Sequence, residues 1–354
     1  MSPYLLLIAG SLSGGPLLAA KPNTRRAYLR AMGLLCWLLS SLRYVTGFDY
    51  RFYETVFQNT AGTGLSGLAL LGQIEPGYLL LNLTVASVGG DYRAFLFVFH
   101  LLFTLLVFVW MGRYSPSPWL SVYLFLTLQY FALSMNFLRQ AMAAAILLWI
   151  YPFLKRRRFL PCLGIILLAA CFHRTALIMV PLCLLLSLGI SRLHYGLAAL
   201  ATGAAYLLLD PLVQVAVRLV PKYQHYLTER YWQGNSFLYL LLPVGCFLFV
   251  LPLLKGDKGG PAASPVLANC MFYSMLIQLF ITRHFILERL SIYPAFFCLL
   301  ALPEAALLGG ESRRSRICTG ILLAGGLAYF FFAASQGFHG VYPFRGLWDR
   351  ALSP

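Results

Sequence analysis

Charge is scarce in this sequence. Only 11% of its 354 residues are charged, and just 11 are acidic. A soluble domain of that size carries about 25% charged residues, so an ordinary soluble domain is excluded. No long polar segment offers a separate soluble unit either. The eight cysteines (Cys36, Cys162, Cys171, Cys183, Cys246, Cys270, Cys298 and Cys318) form no C-x-x-C pair and all fall in apolar runs, where they read as small core residues. The six histidines lack H-E-x-x-H or H-x-x-x-H spacing, so no protein-built metal site or cofactor is expected. A Walker loop, a G-x-G-x-x-G after a strand and a D-x-D pair are all missing, which disfavours a nucleotide-driven pump and a cytosolic sugar-nucleotide transferase. No internal repeat is visible. The net charge of +16 comes with no basic tail or RNA-binding motif, so nucleic acid is not an expected partner.

Apolar residues are what the chain has: they make up 60% of it, with mean hydropathy +0.76. Such a chain is expected to be an all-α, polytopic integral membrane protein, with residues 1–354 forming a single transmembrane domain in the bilayer. The apolar runs are Tyr4–Ala20, Ala27–Val45, Ala94–Met111, Pro118–Met135, Phe137–Leu154, Phe159–Phe172, Thr175–Gly189, Tyr195–Leu209, Phe237–Leu254, Val266–Thr282, Phe285–Leu308 and Ile317–Ala334. About twelve transmembrane helices are therefore expected, several of them short enough to need tilt or local thinning.

A further run, Pro76–Val88, is opened by Glu75-Pro-Gly77 and closed by Gly89-Gly90. It reads as a re-entrant or interfacial segment, because leaving it out puts Lys21–Arg30, Arg113, Lys155–Arg158, Arg192, Lys255, Lys258 and Arg313–Arg316 on one side, as the positive-inside rule requires. The N-terminus has no basic n-region, and positive charge follows the first run, so a retained span with its N-terminus outside is expected. Segments 46–93 and 210–235 become external loops. Asp49, Arg51, Glu75, Arg139, His173, Arg174, Arg283, His284, Glu288 and Arg289 then come out at or near the external face. Ionisable groups gathered at one membrane depth point to a site. The external segment 210–235 adds Arg218, Lys222, Tyr223, Tyr226, Arg230, Tyr231 and Trp232, suited to sugar rings or to a headgroup belt.

The stretch Asn136-Phe-Leu-Arg139-Gln140-Ala-Met-Ala-Ala-Ala145 stands out among the apolar runs. On a helix, Asn136, Arg139, Gln140, Ala143 and Ala144 share one stripe, polar at one end and small along its length. Small residues let another backbone approach inside a bilayer, so the guanidinium is expected to face a protein cavity. There it suits a phosphate or carboxylate; the alternative is an interfacial arginine reaching to headgroups.

From Arg43 to Pro303 the chain resembles the EpsG-like family of bacterial exopolysaccharide polymerases, relatives of Wzy-type O-antigen polymerases. The resemblance is carried by Gly47-Phe-Asp49-Tyr50-Arg51-Phe-Tyr53, Glu75-Pro-Gly77-Tyr78, Asn136-x-x-Arg139-Gln140-x-x-Ala143, Phe172-His173-x-Thr175-Ala176-Leu177 and Glu288-Arg289-Leu-Ser-Ile-Tyr293. Arg174 departs from it, standing where a small or polar residue is usual, and the amino-terminal span carries little of the pattern. The resemblance implies a membrane glycosyltransferase of the bacterial cytoplasmic (inner) membrane, acting at its outer face. It would polymerise polyprenyl-diphosphate-linked oligosaccharide repeat units into exopolysaccharide or O-antigen-like glycan, with lipid-linked glycans as both donor and acceptor. A chain-length regulator and a flippase are the protein partners it implies, and no metal is needed.

Such a reaction needs cations for the leaving diphosphate and a base for the acceptor hydroxyl. Arg139 is the first candidate for the diphosphate, followed by Arg289 and Arg283. Arg51, Asn136, Gln140 and Tyr293 join them as substrate-binding candidates, Tyr293 by orienting the Arg289 guanidinium. Asp49, Glu75 and His173 are the catalytic candidates, and the sequence does not rank them. Asp49 could instead pair with Arg51 or Arg43, Glu75 could cap the helix opened by Pro76, and His173 could be a hydrogen-bonded histidine at a helical turn. His284 and Glu288, four residues apart, are expected to satisfy each other. The rival readings are a lipid-linked oligosaccharide flippase, which predicts repeats and charges reaching both faces, and a membrane O-acyltransferase or an O-antigen ligase.

Overall fold

The structure, a computed structural model, describes residues 2–18, 21–63, 74–189, 191–219, 233–254, 265–310 and 312–352. Helix dominates, and the described residues contain no strand, only an isolated bridge between Arg43 and Gly346. The amino-terminal half runs α1 (Ser2–Leu18), α2 (Pro22–Ser41), α3 (Tyr50–Thr63), α4 (Pro76–Ser87) and α5 (Tyr92–Tyr114). Asp91 starts α5 by accepting from the Arg93 and Ala94 amides at 3.1 and 3.0 Å. Its 23 residues rise about 34 Å, enough for a hydrocarbon core of about 30 Å. One face of α5 (Phe95, Phe99, Phe103, Val107, Trp110) is buried while Leu102, Leu105 and Val109 stay exposed, as lipid permits.

The centre of the molecule is broken helix. The apolar run from Pro118 divides into α6 (Pro118–Thr127) and α7 (Tyr130–Asn136), bent by 52° at Gln129, which takes a left-handed φ of 71°. The buried Gln129 side chain accepts from the Tyr342 hydroxyl at 2.7 Å, so the break is held from outside the run. A second break at Phe137 separates α7 from α8 (Leu138–Leu147). Asn136 therefore ends one helix and Arg139 opens the next, and the single stripe expected through both is interrupted. Helix α8 is buried almost all round, with Ala141, Ala143 and Ala145 at 0% exposure. It packs against α5 and against α10 (Phe159–Ala170), which follows the short α9 (Tyr151–Lys155). Past the turn at Cys171–His173, a 3₁₀ segment (Arg174–Ile178) leads into α11 (Met179–Leu186).

The remaining described elements are α12 (Arg192–Leu207), α13 (Leu209–Leu219), α14 (Leu241–Val250), α15 (Pro265–Gln278), α16 (Glu288–Ala295), α17 (Cys298–Ala306) and α18 (Arg313–Ser335). Helix α15 is largely buried and packs on α11, α14, α16 and α17. Beyond α18 the chain returns to the end of α2: Arg345 O accepts from the Tyr44 amide at 2.8 Å, Gly340 O from the Gly47 amide at 2.9 Å, and Val341 O from the Tyr4 hydroxyl at 3.0 Å.

Four helical segments among the described residues are long and apolar enough to cross a membrane, or up to seven if each bent pair is one span. The protein is thus a multi-pass helical membrane protein. The twelve expected spans are not resolved at that number, because breaks at Gln129, Phe137, Leu208 and Phe296–Phe297, and the shortness of α1, α10 and α11, divide the apolar runs. Helix α4, with 12 residues, rises only about 18 Å and is too short to cross alone. Lys222, Tyr223, Tyr226, Arg230, Tyr231, Trp232, Lys255 and Lys258 lie outside the described residues.

Candidate functional site

Two glycines bring separate elements to one place. Gly47, after α2, has φ +101°, and a Cβ there would lie 2.7 Å from Met135 O at the end of α7. Only glycine fits both the conformation and the contact. The close approach seats the Asp49 amide on Asn136 Oδ1 at 3.0 Å. Gly77, in the first turn of α4, donates its amide to Cys171 O at 2.7 Å, and a Cβ there would lie 2.8 Å from the same oxygen. That contact docks the start of α4 on the turn before His173.

Glu75 is the result. It occupies the N-cap position of α4 but makes no side-chain cap. Its carboxylate reaches outward to three donors: Arg139 Nη1 at 2.5 Å, His173 Nδ1 at 3.1 Å and the Arg174 amide at 3.2 Å. Burial pushes the Glu75 carboxyl up, but the His173 hydrogen bond and the Arg139 charge outweigh it and bring it to about 2. Burial lowers His173; the Glu75 hydrogen bond and charge oppose this, the Arg139 and Arg289 charges add to it, and the net shift is downward, towards the neutral ring. A neutral ring that donates through Nδ1 to a carboxylate keeps Nε2 as an acceptor.

Arg139 sits between Glu75 and the rings of Phe52 and Tyr53, 5.7 and 5.9 Å from its guanidinium carbon. Its side chain is only 18% exposed and is held against Glu75. The guanidinium is not a free cation, because Glu75 neutralises it. Arg289 differs: it lies over the Phe137 ring at 5.7 Å and makes no ion pair among the described residues. Its backbone carbonyl accepts from Gln140 Nε2 at 2.5 Å, so α8 fixes the start of α16.

Asp49 is half-buried, and its carboxylate has no hydrogen-bond or ion-pair partner among the described residues. Burial raises its carboxyl, while Arg289 and Arg139 pull it back only in part. The structure thus gathers Asp49, Glu75, Asn136, Arg139, Gln140, His173 and Arg289. Two cations face two carboxylates, with a neutral imidazole beside them.

Other expected members fall elsewhere. Arg51 pairs with Glu54 at 2.6 Å on an exposed face of α3, with 62% of its side chain exposed. Arg43 is fully buried against Tyr50, so neither arginine pairs with Asp49. Arg283 is tied to the Asp210 carboxylate and donates to Tyr206 O at 3.1 Å, bracing the bent α12–α13 pair away from Arg139. His284 reaches the same Asp210 through Nε2 at 3.0 Å, not Glu288 as four-residue spacing suggested. The Tyr293 hydroxyl meets Thr175 Oγ1 at 2.6 Å and so joins α16 to the 3₁₀ segment, without orienting Arg289. Glu288 lines a cleft of about 110 Å³ with Gln129, Ser274, Gln278 and His339. The cleft adjoins the Arg289 region through the edge contact of His339 with Phe137, 5.5 Å between centroids. Among the described residues, no three His, Cys, Asp or Glu side chains converge where a metal could sit.

Residue spacing could not show Phe52, Tyr53, Phe137 or Thr175 as members of this region. Three of them lie inside the quoted motifs, and Phe137 lies between Asn136 and Arg139. Membership in a motif was the available signal. No curated protein and no solved structure matches the chain. The model of the EpsG family matches residues 26–345, nearly the whole chain and all five motifs, and the protein belongs to that family.

Proposed function

We propose that the protein polymerises polyprenyl-diphosphate-linked repeat units at the outer face of the bacterial cytoplasmic membrane. Family membership supports an exopolysaccharide polymerase-type role. The observation that carries the finer reading is a guanidinium, Arg289, and a carboxylate, Asp49, both unpaired among the described residues, together with the buried His173 imidazole oriented by Glu75.

In the proposed reaction an acceptor sugar hydroxyl attacks the anomeric carbon of the donor glycan. The new glycosidic C–O bond forms as the bond to the diphosphate oxygen breaks, and polyprenyl diphosphate leaves with the electron pair. Arg289 meets the charge growing on the diphosphate, with Arg139 behind it. The hydroxyl proton passes to Asp49 or to His173 Nε2. Glu75 is a positioning residue, since its carboxylate is taken up by Arg139, His173 and the Arg174 amide. A bound diphosphate adds negative charge beside Asp49 and His173 and raises the proton affinity of both. The base therefore strengthens only when the donor is in place.

The test is reconstitution with lipid-linked repeat units, excess chelator and no sugar nucleotide. A ladder of lipid-linked glycan spaced by one repeat unit is the expected product. A requirement for a sugar nucleotide overturns the reading, and movement of lipid-linked oligosaccharide between leaflets without a ladder favours a flippase. Transfer of a single finished glycan to a different acceptor lipid identifies a ligase.

A further inference from the structure

One large cavity is lined by none of the residues around Arg289. It is a groove of about 760 Å³ between the antiparallel α2 and α5. Its walls are Leu29, Gly33 and Leu34 from α2 and Leu101, Leu105 and Val109 from α5. Gly33 and Gly112 let the two helices approach: a Cβ at Gly33 would lie 3.3 Å from Phe108, and one at Gly112 would lie 3.0 Å from Leu29. At one end Trp37 closes the groove, its indole N–H donating to Phe97 O at 2.9 Å and its ring tilted against that of Phe97, 4.3 Å between centroids.

The other end carries Arg25, Arg26, Arg30 and Arg113, and among the described residues no acidic side chain lines any part of the groove. Arg25 is fixed in place by donating to Gly112 O at 2.8 Å. Arg26 and Arg30 are exposed, make no ion pair among the described residues, and repel each other one helical turn apart. Four guanidinium groups without a counter-charge complement an anionic headgroup, and the apolar walls complement a hydrocarbon chain. Length decides the kind of chain. Helical rise over residues 25–37 makes the groove about 18 Å long, close to one leaflet's share of a hydrocarbon core of about 30 Å. A polyprenyl chain is far longer and outruns it.

We infer that this groove binds one anionic phospholipid from the leaflet at the arginine end, its phosphate among Arg25, Arg26, Arg30 and Arg113 and one acyl chain between α2 and α5. The site lies at the far end of α2 from Asp49, so it acts on stability and not on the proton or diphosphate chemistry.

The test uses the full-length protein in detergent, titrated with dioleoyl phosphatidylglycerol, with dioleoyl phosphatidylcholine or with glycerol 3-phosphate. Native mass spectrometry counts retained lipid and a thermal melt follows stability. One tightly held phosphatidylglycerol and a raised melting temperature are expected, with phosphatidylcholine much weaker and glycerol 3-phosphate inert. The double variant Arg26→Gln/Arg30→Gln should weaken retention about thirtyfold, near the loss of two surface charge contacts. Leu105→Trp leaves every arginine in place and fills the chain channel, so it should also release the lipid. Equal retention of both phospholipids by the wild-type protein overturns the inference. So does a Leu105→Trp variant that still holds phosphatidylglycerol selectively, which would mean diffuse attraction to basic residues. Stabilisation by glycerol 3-phosphate alone would reduce the site to a phosphate site with no chain.

Discussion

At the scale of the residue, Arg139 and Arg289 divide the work that their sequence motifs leave undivided. Arg139 is buried against Glu75, so Arg139→Met strands a buried carboxylate and should cost about 3–5 kcal/mol of stability, seen as lost expression or a lower melting temperature. Arg289 has no such partner among the described residues. Arg289→Lys keeps the charge and loses the planar fork, so the protein should fold normally while polymer synthesis falls about a hundredfold, or about 3 kcal/mol. Near-normal ladders from Arg289→Lys at equal expression would remove Arg289 from the reaction.

The two base candidates separate by pH. His173 titrates below its ordinary 6.5 and Asp49 above its ordinary 3.8, so synthesis should decline on acidification below pH 6.5. If His173 is the base, His173→Gln abolishes synthesis at every pH while Asp49→Asn keeps the acid limb. The reverse pattern assigns the proton to Asp49.

Among elements, the connections matter more than the helices. The Gly47 turn and the first turn of α4 place Asp49 and Glu75 by backbone-to-backbone approach. Gly47→Ala meets both a positive φ and a carbonyl at 2.7 Å, and should destabilise by about 1–3 kcal/mol while shifting Asp49 off Asn136. Gly77→Ala faces only the clash, so its expected signature is milder: a folded protein with reduced synthesis because Glu75 no longer reaches His173. A Gly77→Ala variant with unchanged activity would show that α4 adjusts without moving Glu75.

For the whole molecule, acid sensitivity and topology are the readable properties. The folded Glu75 carboxyl, at about 2, lies below its unfolded value of 4.5. Its contribution, about 3 kcal/mol, is therefore complete above pH 4.5 and is lost as pH falls from 4.5 towards 2. His173, lowered in the folded state, adds a loss that begins below 6.5. Melting temperatures measured against pH should fall through that window, and more shallowly in Glu75→Gln.

Topology is open to labelling. With the eight native cysteines replaced, Arg156→Cys and Gln233→Cys should react from opposite sides of the membrane. Labelling of both from outside would make α4 a true crossing and would move the basic loop at Lys155–Arg158 to the outer face.

Composition alone determined that this chain lives in a bilayer, because 60% apolar residues cannot be hidden in a water-soluble core of this size. The motifs around Asp49, Glu75, Arg139, His173 and Arg289 were legible as one family's pattern, since the positions of rare ionisable groups in apolar sequence are themselves informative. Pairing was not legible. Four-residue spacing suggested His284 with Glu288 and Arg289 with Tyr293, yet Asp210 and Thr175, 74 and 118 residues away in sequence, took His284 and Tyr293. Spacing along a helix speaks only for neighbours on that helix, whereas a broken helix re-aims each side chain at the turn where it breaks. The breaks at Gln129 and Phe137 lie in continuous apolar sequence and carry no proline or glycine at the break. Contacts from remote segments fix them, and so only the tertiary structure could decide that Asn136 and Arg139 stand on different helices and that Glu75, not a ligand, neutralises Arg139.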